Sequence, residues 1–293
     1  MPDTATVRSG EDLSDLLAYV SQGEETAGLS VDWLTMVETE RTRINLHCLK
    51  KSTRNLKRCL DVVGAAAGLV VLAPVFLIVG LLVRLTSRGP VIYRQVRVGL
   101  NLRTGSADRR WRAAGVGPEP WETVDHDLAP EVDGGHEPRG ADRRKNAAFG
   151  RPFVIYKFRT MAADAERGGA QLARANDARI TPVGRFLRRT RLDEIPQLVN
   201  VLRGDMSLVG PRPERPEFIE KLSRDIPGYL NRLGLRPGLT GVAQILNGYD
   251  EDVASVRRKV WFDLLYLQNC SLWNDAKILL RTVKVVLTGS GAR

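Results

Sequence analysis

The run Arg185–Pro213, RFLRRTRLDEIPQLVNVLRGDMSLVGPRP, carries the densest information in the chain. Ile195, Leu198, Val199 and Leu202 recur at i, i+3, i+4 and i+7, which makes them one face of a helix. Pro196 is tolerated only in a first turn, so Asp193 and Glu194 fall at or near the helix N-terminus. Unpaired N–H groups and the positive end of the helix dipole gather there. Such an end holds carboxylates ionised and attracts phosphate. Arg188, Arg189 and Arg191 lie just upstream, Arg203 and Arg212 downstream. Gly204-Asp205 stops the helix, and Gly210-Pro211-Arg212-Pro213 is a rigid turn that aims a guanidinium in a fixed direction. Arg236-Pro237-Gly238-Leu239-Thr240-Gly241 is a second rigid basic turn. An isolated acid pair would merely cap a helix and pair with nearby arginines. Set among two such turns, it reads as a phosphate site with a metal or a nucleophile.

Working outward, Val91–Val98 (VIYRQVRV) and the stretch from Phe153 (FVIYKFRTM) read as strands. Helical patterns cover Phe186–Leu202, Pro216–Ser223 and Asp252 to about Leu287, the last interrupted at Ser271. That last region mixes Trp261, Leu265, Trp273 and Leu280 with Arg257, Lys277, Arg281 and Lys284. Such a mixture suits a helix lying at a membrane interface or an ordinary core-facing amphipathic helix. Residues 31–58 are expected to form a helix, and residues 1–28 read as a polar lead. Residues 101–150, rich in Gly, Pro and charge, read as a flexible insertion. Its Asp125-His126-Asp127 belongs to a solvated loop rather than a metal cluster.

From Val62 to Val83 the chain carries no charge: VVGAAAGLVVLAPVFLIVGLLV. As a straight helix this run is roughly 33 Å long, enough to cross a bilayer core. Pro74 bends it near the middle. Lys50, Lys51, Arg54, Lys57 and Arg58 precede it, and Arg84, Arg88, Arg94 and Arg97 follow. Positive flanks stay on the cytoplasmic side. A helix broken at Ala73-Pro74 that enters and leaves by one leaflet satisfies both facts, and a kinked single span is the alternative. No apolar h-region follows a basic n-region within residues 1–51, so no cleavable signal is read.

The 293 residues include 44 Lys+Arg against 34 Asp+Glu, a net charge of +10 that favours anionic partners. No recognised nucleic-acid-binding motif accompanies that charge, so nucleic acid is not expected as a partner. Cys48, Cys59 and Cys270 are isolated, without a CxxC pair, and are expected as buried or half-buried thiols. The P-loop pattern GxxxxGK[ST] is absent, which argues against an ATP-driven motor.

The blocks KRCLDVV from Lys57, RGPVIYRQVRVG, YKFRTM, TPVGRFLRRTRLDEIPQLVNVLRGDMSLVGPRPE and LRPGLTGVAQI resemble the bacterial sugar transferase family. These are monotopic polyprenyl-phosphate phosphoglycosyl transferases that initiate glycan assembly. The resemblance covers nearly everything from 57 to 288 except the insertion. It implies that Asp193 is a nucleophile toward the β-phosphate of a UDP-sugar, expelling UMP. It implies that Glu194 helps hold Mg²⁺, and that polyprenyl phosphate then attacks the acyl-phosphate. An ionised carboxylate is a competent nucleophile, and cations must neutralise the diphosphate it approaches. By motif position, Lys157 and Arg159 (YKFRTM), Arg188 (FLRRT) and Arg212 (GPRP) are candidate phosphate contacts, with Arg236 a further one. Lys157 and Arg159 would share one face of a strand.

The chain departs from the family in carrying Ala73 where Ser often precedes the membrane-helix proline, and in the length of 101–150. Larger relatives carry an N-terminal bundle of membrane helices that residues 1–50 do not resemble. A rival reading takes Asp250-Glu251-Asp252 as the DxD metal site of a glycosyltransferase that releases UDP. The expected architecture is an α/β, mostly α, catalytic core with a small sheet, a re-entrant membrane helix and interfacial amphipathic helices. Residues 1–56 form a polar extension, 57–90 the membrane helix and 91–288 the catalytic domain. The expected location is the cytoplasmic membrane, with the catalytic domain facing the cytoplasm. The expected partners are a UDP-sugar, polyprenyl phosphate, the bilayer and downstream glycosyltransferases.

Overall fold

The structure is a computed structural model that describes residues 31, 33–38, 43, 45–100, 149–162, 165, 177–226, 228–246 and 253–288. Most of the polar lead, nearly all of the 101–150 insertion and the Asp250-Glu251-Asp252 triplet lie outside the described residues.

Helix α1 (Lys51–Val71) meets α2 (Ala73–Thr86) at Leu72, where the axis turns by 62°. Pro74 sits in the first turn of α2, where its missing N–H costs nothing, so the break falls two residues ahead of the ring. Strands β1 (Ile92–Val98) and β2 (Pro152–Phe158) then form an antiparallel pair with Ile92 opposite Phe158. Helix α3 (Pro182–Arg189), a 3-10 turn (Leu192–Gln197) and α4 (Leu198–Arg203) follow. Strand β3 (Ser207–Val209) runs parallel to β4 (Gly238–Thr240), with α5 (Pro216–Asp225) and a 3-10 turn (Tyr229–Gly234) between them. Helices α6 (Val242–Leu246), α7 (Val253–Gln268) and α8 (Leu272–Thr288) complete the described chain.

The architecture is mostly helical with two small sheets. One core gathers α5, α7, α8, β3 and the Tyr229–Gly234 turn around Tyr266, Phe262, Tyr229 and Ile219. A second joins Ala65 of α1 to Phe153 and Ile155 of β2 and to Ile195, Leu198 and Val201. A third joins Val79 and Val83 of α2 to Phe158 and Leu187. The two legs of the bent pair therefore brace β2 and the turn carrying Asp193 from two sides. On α1 the buried residues are Lys57, Asp61 and Ala65, spaced at i, i+4 and i+8 along one stripe. Much of the rest of the pair is exposed and apolar, including Val70 at 76%, Val71 at 73% and Leu77 at 76%. Among the described residues no single helix is long and apolar enough to cross a membrane.

Three sequence expectations change. The expected helix over 31–58 begins only at Lys51, with a 3-10 turn at Leu46–Cys48 before it. The described residues ahead of α1 pack onto the C-terminal helices: Thr35 N–H donates to Asn274 Oδ1 (3.0 Å) and Val37 N–H to Asn269 Oδ1 (2.8 Å). Part of the polar extension is thus structural. The pattern over Phe186–Leu202 is not one helix, because Arg191 takes φ 58°, a left-handed conformation that reverses the chain ahead of the acid pair. Cys48 and Cys59 are exposed, and only Cys270 is buried.

Candidate active site

Asp193 and Glu194 sit on the Leu192–Gln197 3-10 turn and are 7% and 9% exposed. Pro196 lies inside that turn, and the α-helix proper starts two residues later at Leu198. Of the apolar face read from the sequence, Ile195 and Leu198 enter the core, while Val199 and Leu202 are half-buried. Asn200 is fully buried and ties α4 to β2: its Nδ2 donates to the Val154 carbonyl (2.6 Å), and its Oδ1 accepts from the Tyr156 N–H (3.2 Å). That pins the strand one residue before Lys157.

Lys157 Nζ donates to Glu194 Oε1 at 3.1 Å. Arg212 approaches the same carboxylate with both terminal nitrogens, Nη2 to Oε1 at 2.5 Å and Nη1 to Oε2 at 3.2 Å. The fork geometry of a guanidinium suits such a two-point contact. Burial alone would raise the Glu194 pKa, but Arg212 and Lys157 outweigh it and hold the carboxyl well below its ordinary range. Asp193 differs. No hydrogen bond from the described residues reaches its carboxylate. Burial, then the Glu194 charge, pushes it up to about 6, against the pull of Lys157, Arg188 and Arg212. The acids thus lie on a 3-10 turn ahead of α4 rather than in the first turn of an α-helix, and burial with a like charge beside it lifts Asp193 above the ordinary carboxylate range. Lys157 is lowered, first by burial and then by the Arg212 charge.

Arg188 donates from Nε to Thr160 Oγ1 (3.1 Å), and its charge acts on Asp193. The structure thus brings Lys157, Arg188 and Arg212 to the acid pair. It does not bring Arg159 or Arg236 there. β2 ends at Phe158, so Lys157 and Arg159 do not share its face. Arg159 turns to the end of α2, where Nη2 donates to the Ser87 carbonyl and Oγ, each at 2.8 Å. Arg236 lies just before β4, where the charges that act on it are those of Arg58 and Asp61 rather than of the acid pair.

The turn that aims Arg212 is held by groups the sequence reading missed. Lys57 donates to the Val209 carbonyl (3.2 Å), Arg232 to the Arg212 carbonyl (3.0 Å) and Arg97 to the Pro213 carbonyl (3.3 Å). Each cation has a carboxylate partner: Lys57 pairs with Asp275 (2.5 Å), Arg232 with Asp263 (2.6 Å), and Arg97 with Glu214 (3.7 Å), which it shares with Lys259 (2.6 Å). The available signal was an acid inside an apolar run, Asp263 in WFDLLYL and Asp275 in LWNDAKILL. Gly210 and Gly238 let the two turns touch backbone to backbone; a Cβ on Gly238 would stand 2.1 Å from Gly210 N.

Among the described residues no group of three His, Cys, Asp or Glu could hold a metal. The site offers two adjacent carboxylates, one of them committed to Arg212 and Lys157. That donor set fits Mg²⁺, an ion usually held by one or two carboxylates together with substrate phosphates and waters. It does not fit a metal caged wholly by protein.

The described geometry is a buried acid pair in a cationic shell, presented on a short turn between two small sheets. A family model for bacterial sugar transferases matches residues 52–106 and 140–289, and the chain belongs to that family. Three curated relatives carry different sugars in their names. A UDP-N-acetylgalactosamine-undecaprenyl-phosphate N-acetylgalactosaminephosphotransferase of Aeromonas hydrophila is 36% identical over 81% of this chain and 45% of its own length. A UDP-glucose:undecaprenyl-phosphate glucose-1-phosphate transferase of Caulobacter vibrioides is 38% identical over 80% of this chain and 71% of its own. An undecaprenyl-phosphate galactose phosphotransferase of Salmonella typhimurium is 34% identical over 85% of this chain and 44% of its own. The chain thus spans less than half of the first and third.

Proposed function

We propose that this protein transfers a sugar-1-phosphate from a UDP-sugar to polyprenyl phosphate and releases UMP, through a phosphosugar ester on Asp193. The observation that carries the reading is the asymmetry of the acid pair. Glu194 is a fixed anion, tied by Arg212 and Lys157. Asp193 beside it keeps its lone pairs free while Lys157, Arg188 and Arg212 surround the pair.

The chain's own groups account for each step. Lys157, Arg188 and Arg212 draw the donor's diphosphate in and offset its charge as the Asp193 carboxylate approaches. An Asp193 oxygen forms a bond to the β-phosphorus, and the bond from that phosphorus to the bridging oxygen breaks. The electron pair leaves with UMP, whose charge the same cations stabilise. The phosphate of the polyprenyl carrier then attacks the β-phosphorus, and the carboxylate departs intact. Glu194 and Asp193 would hold Mg²⁺, which supplies further neutralisation of the diphosphate when bound.

The bent α1–α2 pair supports a re-entrant membrane helix. Basic residues flank both ends, and Val70, Val71, Leu77 and Leu81 face outward. Helix α8 exposes Trp273 at 65% and Leu280 at 73% beside Lys277, Arg281 and Lys284, which suits an interfacial position. On this reading the catalytic unit faces the cytoplasm on the inner membrane and hands its product to downstream glycosyltransferases. Single cysteines in a background without Cys48, Cys59 and Cys270, introduced as Ser52→Cys and Arg88→Cys, should both resist a periplasmic thiol reagent. Labelling of one alone would mean that the helix spans.

The activity itself is tested by incubating the purified protein with Mg²⁺, undecaprenyl phosphate and a panel of UDP-sugars, with UMP and UDP quantified separately. UMP from one donor supports the reading and identifies the sugar. UDP would move the protein to the glycosyltransferases.

A further inference from the structure

Arg236 makes no hydrogen bond or ion pair with any described residue, yet it is half-buried. It lines a cleft with Arg54, Lys57, Arg58, Asp61 and Ser207, between the first turns of α1 and the start of β4. Lys57 is neutralised there by Asp275 at 2.5 Å. Asp61 is committed as well, its Oδ1 accepting from Ser207 Oγ and the Leu208 N–H, both at 2.9 Å. Arg58 spends its donors on the Val201 and Leu202 carbonyls (2.6 and 2.8 Å), and Arg54 meets His47 Nδ1 at 2.7 Å. None of those partners is an anion, so three guanidinium charges share one carboxylate. Burial, then the Arg58 charge, weakens the hold of Arg236 on its proton, and Asp61 only partly offsets this. Such a cleft attracts an anion with several acceptor oxygens, and phosphate matches a guanidinium fork.

The position of the cleft narrows the source. Arg58 lies one helical turn, roughly 6 Å, before the uncharged run that starts at Val62. If that run enters a bilayer, as the proposed function holds, Arg54, Arg58 and Arg236 stand at the depth of lipid phosphates. The cleft is distinct from the acid pair, because neither acid and none of Lys157, Arg188 and Arg212 lines it.

We infer that this cleft is a second phosphate site, in which Arg236, Arg58 and Arg54 hold the headgroup phosphate of an anionic phospholipid beside the entry of α1. The inference rests on the membrane reading of α1 and α2, and its readout is lipid binding rather than turnover.

The full chain is floated with phosphatidylcholine vesicles and with vesicles containing phosphatidylglycerol, and native mass spectrometry counts the phosphatidylglycerol retained from mixed micelles. Wild type should prefer the anionic vesicles and retain lipid. Arg236→Gln should lower that preference roughly fivefold, as expected for one cation at an anionic surface, while binding neutral vesicles as before. Arg236→Lys should restore part of it. Lys51→Gln, on the same helix but outside the cleft, should change it little. Equal losses in Arg236→Gln and Lys51→Gln would reduce the effect to diffuse attraction and overturn the site. Equal binding of wild type to both vesicle types would overturn it too. Flotation with neither would instead refute the membrane reading and the lipid assignment with it. Protection against thermal unfolding by inorganic phosphate, lost in Arg236→Gln without any lipid preference, would assign the cleft to free phosphate and contradict the inference.

Discussion

Asp193 and Glu194 are neighbours in sequence and opposites in electrostatics. Glu194 is held ionised by the Arg212 and Lys157 charges beside it; Asp193 is pushed up to about 6 because its burial and the Glu194 charge exceed the pull of Lys157, Arg188 and Arg212. Two outcomes follow for Asp193. A carboxyl raised above its ordinary value costs stability once it ionises, a cost absent at low pH and fully present above about 6. Asp193→Asn should therefore melt at a higher temperature than wild type at neutral pH, by a gain on the order of 1–3 kcal/mol. The same variant should lose turnover by about three orders of magnitude, since an amide is a poor nucleophile. Wild-type turnover should fall as pH drops through about 6, when Asp193 takes up a proton. Replacing Glu194 with Gln should do the reverse to stability, because the half-buried Arg212 and Lys157 would lose the anion they share. A loss of roughly 1–3 kcal/mol is expected in chemical unfolding, together with a raised Mg²⁺ requirement. An unchanged melting curve would mean that the pair contributes nothing to the fold.

At the scale of elements, β1, β2, the break near Pro74 and the split at Ser271 were legible because each has a local cause, alternation, a proline or a cap, whereas the short β3 and β4 were not read as strands. The acid pair and Arg212 were legible as motif. What the sequence hid is long-range. Nothing in a one-dimensional pattern says that Lys57 of α1 meets Asp275 of α8, or that Arg232 and Asp263 support the carbonyl of Arg212. Nor could periodicity show that Arg191 reverses the chain, or that Arg159 and Arg236 turn away from the acids. Two substitutions test this framework. Arg232→Met leaves Asp263 buried and unpaired and should cost roughly 3–5 kcal/mol. Gly238→Ala forces a Cβ to 2.1 Å from Gly210 N, and since the obstacle is backbone the two turns must separate. That variant should lower both the melting temperature and the rate, because it moves the mount of Arg212. If it left both unchanged, the contact between the turns would not matter.

For the whole molecule, a net charge of +10 and an outward apolar surface on α1 and α2 are what the proposed function requires of a catalytic unit held against an anionic surface. The small sheets and bent helices bring three cations from separate elements to two acids on one short turn. The central claim is the covalent step, and intact-protein mass spectrometry reaches it most directly. Wild type and Asp193→Asn are each mixed with a UDP-sugar and Mg²⁺ but no polyprenyl phosphate. Wild type should release up to one UMP per protein and gain the mass of the phosphosugar, and Asp193→Asn should do neither. UMP that appears only after polyprenyl phosphate is added, with the protein mass unchanged throughout, would contradict the account.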